Sequence, residues 1–298
     1  FVIIGCFCLV IFSLTFFVIK PYFVSLEIIK TLKGIRINNP DLAYNSLQRI
    51  FQSPSFLKED AIIGSAKIIV DYGNQLKKED LAKISDLLIK EANGILEKHP
   101  ERYLLLFYKG QLEEISSLWD EQGRLKAEET FRKAISLAPA FPQPRIFYIR
   151  LLLAGGKIEE AKTQMEETFK LNPNMPEINY LYYRILKSEG KKEEAPVYLV
   201  RAIEGGLRFL SPEAIANSVE DLVPLKRYDL IEKLYLQAIS LDPKNVQFYV
   251  SLAATYGKMH NKEKAIEYAN KALELNPNLK PQVEEFIKIV ENEEWEKI

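Results

Sequence analysis

Cysteine is almost missing from this 298-residue chain: Cys6 and Cys8 are its two, and none follows them. Two residues apart on a helix they point to different faces, so a mutual disulfide is geometrically poor. Histidine is equally scarce, and His99 and His260 stand far apart in sequence, each at the expected end of a helix. That argues against a histidine-based metal or acid–base pair. There is no glycine-rich phosphate loop, no zinc-ligand spacing and no thiol past residue 8. Nor is there an excess of one charge. With 40 basic against 41 acidic residues, the chain lacks the surplus by which a nucleic-acid binder neutralises phosphates. Acidic pairs such as Glu113-Glu114, Glu159-Glu160 and Glu193-Glu194 read as solvated helix faces. The expectation is a chain with no catalytic residue, no cofactor, no metal and no nucleic-acid partner, hence not an enzyme by itself.

Charge is also missing locally. The first nineteen residues, FVIIGCFCLVIFSLTFFVI, contain none, and charges begin at Lys20. As a helix this stretch would span about 28 Å, close to the hydrocarbon thickness of a bilayer. Phe16, Phe17, Tyr22 and Phe23 would form an aromatic belt at its exit. A signal peptide would show a basic start, a shorter apolar core and a small-residue cleavage site, none of which is present. Ile3-Ile4-Gly5-Cys6 resembles a lipobox, but the chain stays apolar after it instead of turning polar. Residues 1–24 are therefore expected to be a transmembrane helix contacting the lipid bilayer through residues 1–23. With no Met at its start, the chain reads as the C-terminal part of a longer protein, cut within its last span.

What is abundant is repetition. The phrases AISLAP, TFKLNP, AISLDP and ALELNP end at Pro139, Pro173, Pro243 and Pro277. The first two prolines lie 34 residues apart, as do the last two, and the 70 between the pairs is two periods plus a two-residue slip. Ala127, Ala161, Ala195, Ile231 and Ala265 form one column; Ala134, Thr168, Ala202, Ala238 and Ala272 form another. Each period holds two amphipathic helices, with small residues where the two must approach closely. Gly156 and Gly190 sit at the turn between them, and His260 takes that place in the last period.

The 34-residue period, the paired helices, the glycine turn, the alanine columns and the closing Leu-x-Pro resemble the tetratricopeptide repeat. KEKAIEYANKALELNPN (262–278) is similar to its second helix almost letter for letter. The resemblance covers residues 101–281 and implies an all-α fold, a right-handed α-α superhelix following the membrane span. Residues 25–100 carry helical stripes without a clean period and are expected to be a helical linker or degenerate capping repeats. Residues 282–298 are expected to form a C-terminal helix or tail.

The resemblance implies a groove lined by the first helix of each pair, with Arg150, Arg184 and Ala254 facing it. Together with Tyr180 and Lys187, the arginines would make a basic, aromatic-edged patch for an acidic peptide or an anionic glycan. The lysine-and-asparagine clamp of chaperone-tail binders is missing at these positions. The expected function is a membrane-anchored scaffold binding a protein or peptide partner, in the inner membrane of a bacterium. The alternative rests on a second resemblance. A last span running into IKTLKGIRINNPDLAYNSLQRIF and then a repeat array is similar to bacterial O-antigen ligase or polymerase proteins, whose active site would lie upstream of these residues.

Overall fold

A computed structural model describes residues 15–53, 56–209 and 211–298. Most of the expected membrane span, residues 1–14, lies outside the described residues. Among those described, no helix is long and apolar enough to cross a membrane. A π-helical turn, Thr15–Ile19, runs into α1 (Lys20–Arg36). There follow α2 (Pro40–Gln52), α3 (Lys58–Tyr72), α4 (Lys78–Leu96), α5 (Tyr103–Ser116), α6 (Gly123–Leu137), α7 (Pro142–Ala154) and α8 (Ile158–Leu171). The chain continues through α9 (Pro176–Ser188), α10 (Ala195–Glu204), α11 (Pro212–Leu222), α12 (Tyr228–Leu241), α13 (Val246–Lys258), α14 (Lys262–Leu275) and α15 (Lys280–Glu291). Among the described residues there is no strand.

The helix boundaries have local causes. Proline stands in the first two positions of α1, α2, α7, α9, α10, α11 and α15, where its missing N–H costs nothing. Asn39, Ser211, Asn245 and Asn261 cap α2, α11, α13 and α14 by accepting a hydrogen bond from a first-turn backbone N–H. Gly156 and Gly190 turn the chain at φ of +73° and +76°, and His260 adopts +56° in the equivalent place, as the sequence anticipates. The two extra residues near 205 form a loop in which Leu207 and Phe209 are buried. Gln237 of α12 pins that loop, donating to the Leu207 carbonyl and accepting from the Phe209 N–H.

The chain divides into two compact units, the first ending at Gln164 and the second running Met165–Ile298, so the boundary falls inside α8. In the first unit, Leu47, Ile50, Ile62, Leu88, Leu105 and Leu112 build the core. In the second, Leu199, Leu222, Leu230 and Leu234 form one core cluster, and Leu252, Tyr256, Ala265 and Val290 another. Both alanine columns are buried throughout, which fits their role at close helix crossings. One expectation is overturned. Glu113 does not lie on a solvated face; it is buried, paired with Lys109 one turn earlier on α5.

Candidate functional site

The four residues expected to form a basic patch are divided between the units: Arg150 is on α7 in the first, and Tyr180, Arg184 and Lys187 are on α9 in the second. Arg150 is exposed, with its guanidinium 5.1 Å from the centre of the Phe147 ring. Burial pushes the Glu114 carboxyl above its usual range, and the charges of Arg150 and Arg124 only partly oppose it. Arg184 is exposed on α9. Lys187 is engaged within the fold, donating to Asp221 at 2.7 Å and to the Tyr183 hydroxyl at 3.1 Å. Tyr180 is half-buried, edge-on to Phe209 at 5.1 Å and tilted against Tyr183, and burial raises its phenol pKa. Tyr180 therefore packs, Lys187 is exposed but charge-compensated by Asp221, and the two arginines are the other exposed cations of the set.

A second feature is better formed. Between α13 and α15, over α14, lies a trough of about 590 Å³. Val246, Val250, Ala253 and Ala254 recur on one stripe of α13, and Val283 and Phe286 face them from α15. The floor is Ala269 and Ala272 of α14, both buried; their small side chains are what leaves the space open. Leu279 and four carboxamides, Asn245, Gln247, Asn276 and Gln282, complete the lining, and no charged side chain contributes to it among the described residues. The Oδ1 atoms of Asn245 and Asn276 already accept backbone N–H groups, from Gln247 and Asn278. Their Nδ2 groups are left to donate to a ligand. An apolar trough with amide donors and acceptors at its edges matches an uncharged peptide segment, whose side chains seek the trough and whose backbone seeks the amides.

Sequence reasoning placed Ala254 in the groove and stopped there. The signal for the rest was present as the uncharged stripe Val246, Val250, Ala253 and Ala254. The missing half was α15, which belongs to no repeat and so had no register from which its facing residues could be inferred.

Residues 246–279, α13 and α14 with the turn that follows, match the sequence profile of the Tetratricopeptide repeat family. No curated protein matches the chain. Among solved structures, a tetratricopeptide repeat protein from Parabacteroides merdae superposes with a TM-score of 0.50 at 12% identity, covering 90% of this chain and 99% of its own. Pseudomonas aeruginosa pilF does so with a TM-score of 0.50 at 15% identity, covering 74% of this chain and 92% of its own. At these identities the likeness concerns the fold, a tetratricopeptide-like helical solenoid.

Proposed function

We propose that this chain is a non-catalytic scaffold that holds an uncharged, apolar segment of a partner protein in the trough between α13 and α15. The observation that carries the reading is the lining of that trough: apolar side chains over an alanine floor, carboxamides at the edge and no charge. Its repeat-type fold is consistent with this, because stacked helix pairs offer extended surfaces and not enclosed reaction sites. The uncharged opening stretch supports a further element, a tether that keeps the scaffold at a membrane through residues 1–23.

One experiment tests both elements. Peptides are selected from a random display library on the wild-type chain, labelled, and floated with lipid vesicles and purified protein. The wild-type chain should float and carry uncharged, apolar peptides. Ala254→Arg, which fills the trough with a long cation, should float with peptide affinity lowered at least about tenfold, the cost of burying an unpaired charge against apolar groups. A chain beginning at Lys20 should bind peptide without floating. Selection of acidic peptides, lost on Arg150→Glu or Arg184→Glu and indifferent to Ala254→Arg, would move the site to the arginines and overturn the trough reading. Peptide binding that leaves the wild-type chain at the bottom of the gradient would remove the tether.

A further inference from the structure

The first three helices of the first unit bring one distant residue to the start of α1. α1 and α2 run antiparallel: Arg49 Nη1 of α2 reaches Glu27 Oε2 of α1 at 3.3 Å, and a Cβ on Gly34 would come within 2.7 Å of the Ala43 nitrogen. α3 then runs alongside α1 in the same direction as it. A Cβ on Gly64 would lie 3.8 Å from Leu32, and the Arg36 guanidinium lies 5.8 Å from the centre of the Tyr72 ring. Both registers place the connection between α2 and α3. With Arg49 beside Glu27, the end of α2 at Gln52 is level with Val24. The pairs of α3 with α1 set Lys58, the first residue of α3, level with residues 22–26. Phe56 therefore emerges at the height of Tyr22 and Phe23, from which it is far removed in sequence.

That end of the unit is apolar and uncovered. Val18, Ile19, Tyr22 and Phe23 are exposed at the start of α1, and Phe56 is 62% exposed. Tyr22 and Phe23 meet edge to face at 5.8 Å. Phe56 is held in its place. Leu57 beside it packs against the core cluster that contains Val24, and Lys58 Nζ donates to the Phe51 carbonyl at 2.6 Å across the connection. One exposed apolar side chain needs no explanation, whereas a group of them at one end does. The sequence says what covers this group. α1 continues the uncharged nineteen residues of the proposed tether, so a bilayer that holds them brings its interfacial layer to the start of α1. From residue 15 to residue 26 the only charged residue is Lys20, and from 53 to 58 it is Lys58. Both are cationic, which suits anionic headgroups. The first acid of α1, Glu27, is paired with Lys30 and Arg49. On α3 the exposed Asp60 follows within a turn of Phe56, which confines entry to the interfacial layer.

We propose that Phe56 is a second membrane contact, its ring entering the interfacial layer of the bilayer beside Tyr22 and Phe23. This rests on the tether through residues 1–23 and adds orientation to it. A single anchoring helix leaves the attached helices free to tilt and to turn about its axis. A contact on the connection between α2 and α3, off that axis, removes this freedom. α1, α2 and α3 then stand with the Phe56 end on the membrane and the Tyr72 end away from it.

Tryptophan fluorescence of the full chain tests this. Phe56→Trp is mixed with vesicles of phosphatidylcholine and phosphatidylglycerol whose acyl chains are brominated close to the headgroup. Val70→Trp is the control, an exposed position on the last turn of α3, about 18 Å along that helix from its start. Both positions are exposed, so neither substitution disturbs a core. The signal of the native Trp119 and Trp295 is measured in the unsubstituted chain and subtracted. The added emission of Phe56→Trp should shift to the blue on vesicles and fall at least about twofold through contact with bromine, and that of Val70→Trp should do neither. Flotation of the same samples separates the outcomes. A chain that floats while the Phe56→Trp emission stays unshifted and unquenched would overturn the second contact and leave the tether standing. Equal quenching in the two variants would overturn it as well, because no end of α3 would then be turned to the bilayer. A chain that does not float removes the tether and this contact with it.

Discussion

Three tyrosines show how single residues hold the helix pairs together. Tyr148 donates its hydroxyl hydrogen to Glu160 and accepts from Arg132; Tyr183 donates to Asp221 and accepts from Lys187; Tyr256 donates to Glu232 with Lys264 beside it. Burying a phenol is favourable when its hydroxyl finds a partner, and each of these finds a carboxylate on another helix. Tyrosine at helical spacing is legible in the sequence as packing. The partners are not, because they stand 12, 38 and 24 residues away, with no constant offset to search for. Burial, reinforced by the bond to Glu160 and opposed by Arg132, pushes the Tyr148 phenol from 10.0 up to about 12. The folded state thus holds this proton more tightly than the unfolded state. Its contribution is complete below pH 10 and is lost as pH rises from there toward about 12. Tyr148→Phe should cost about 1 kcal/mol in urea denaturation at neutral pH. The gap between the two proteins should stay constant to pH 10 and shrink above it; a gap independent of pH across that window would show that the hydroxyl is not held as described.

At the scale of elements, the residues after α15 pack back onto the preceding helix pair. After α15 the chain folds back so that Trp295 stacks on His260 at 5.0 Å, and Lys262 Nζ reaches the Glu291 carbonyl. Ile298 lies against Gly257 of α13, where a Cβ would come within 2.6 Å of its Cδ1. A helix pair exposes its core unless something covers it, and residues 292–298 pack over the pair formed by α13 and α14. The repeats themselves were readable because a period repeats its own evidence: alanine columns, turn glycines and terminal prolines confirm one another. The tail offers one copy of everything, so neither its return onto α13 nor the trough under α15 could be read from it. Gly257 separates two effects of opposite sign. In a chain ending at Glu294, Gly257→Ala should stabilise by about 0.5–1 kcal/mol, the ordinary gain of alanine over glycine inside a helix. In the full chain the same substitution must push Ile298 aside, so the gain should vanish or reverse. Equal effects in the two backgrounds, measured by urea denaturation of all four proteins, would mean that the tail does not rest on Gly257.

For the whole molecule, the division into two units was the least legible feature of the fold. The boundary between Gln164 and Met165 falls within α8, in a run, KTQMEETFKL, that contains neither proline nor glycine. Sequence marks a boundary where composition changes, whereas this one is defined by which long-range contacts close on each side of it. The energetic consequence follows from how such arrays are built. Each helix pair is stabilised by its own packing and by its immediate neighbours, so the cost of a core lesion falls first on the pairs around it. Leu88 on α4 and Leu234 on α12 are both fully buried, one in the core of each unit. Replacing either by alanine should cost about 2–5 kcal/mol where it packs. Read by amide hydrogen exchange along the chain, Leu88→Ala should lower protection across α2 to α5 and leave α13 and α14 near wild-type values. Leu234→Ala should do the converse, lowering protection in α10 to α13 and sparing α2 to α4. If either substitution lowered protection evenly from α2 to α14, the chain would be unfolding as one cooperative body, and the two cores would have to be treated as a single energetic unit.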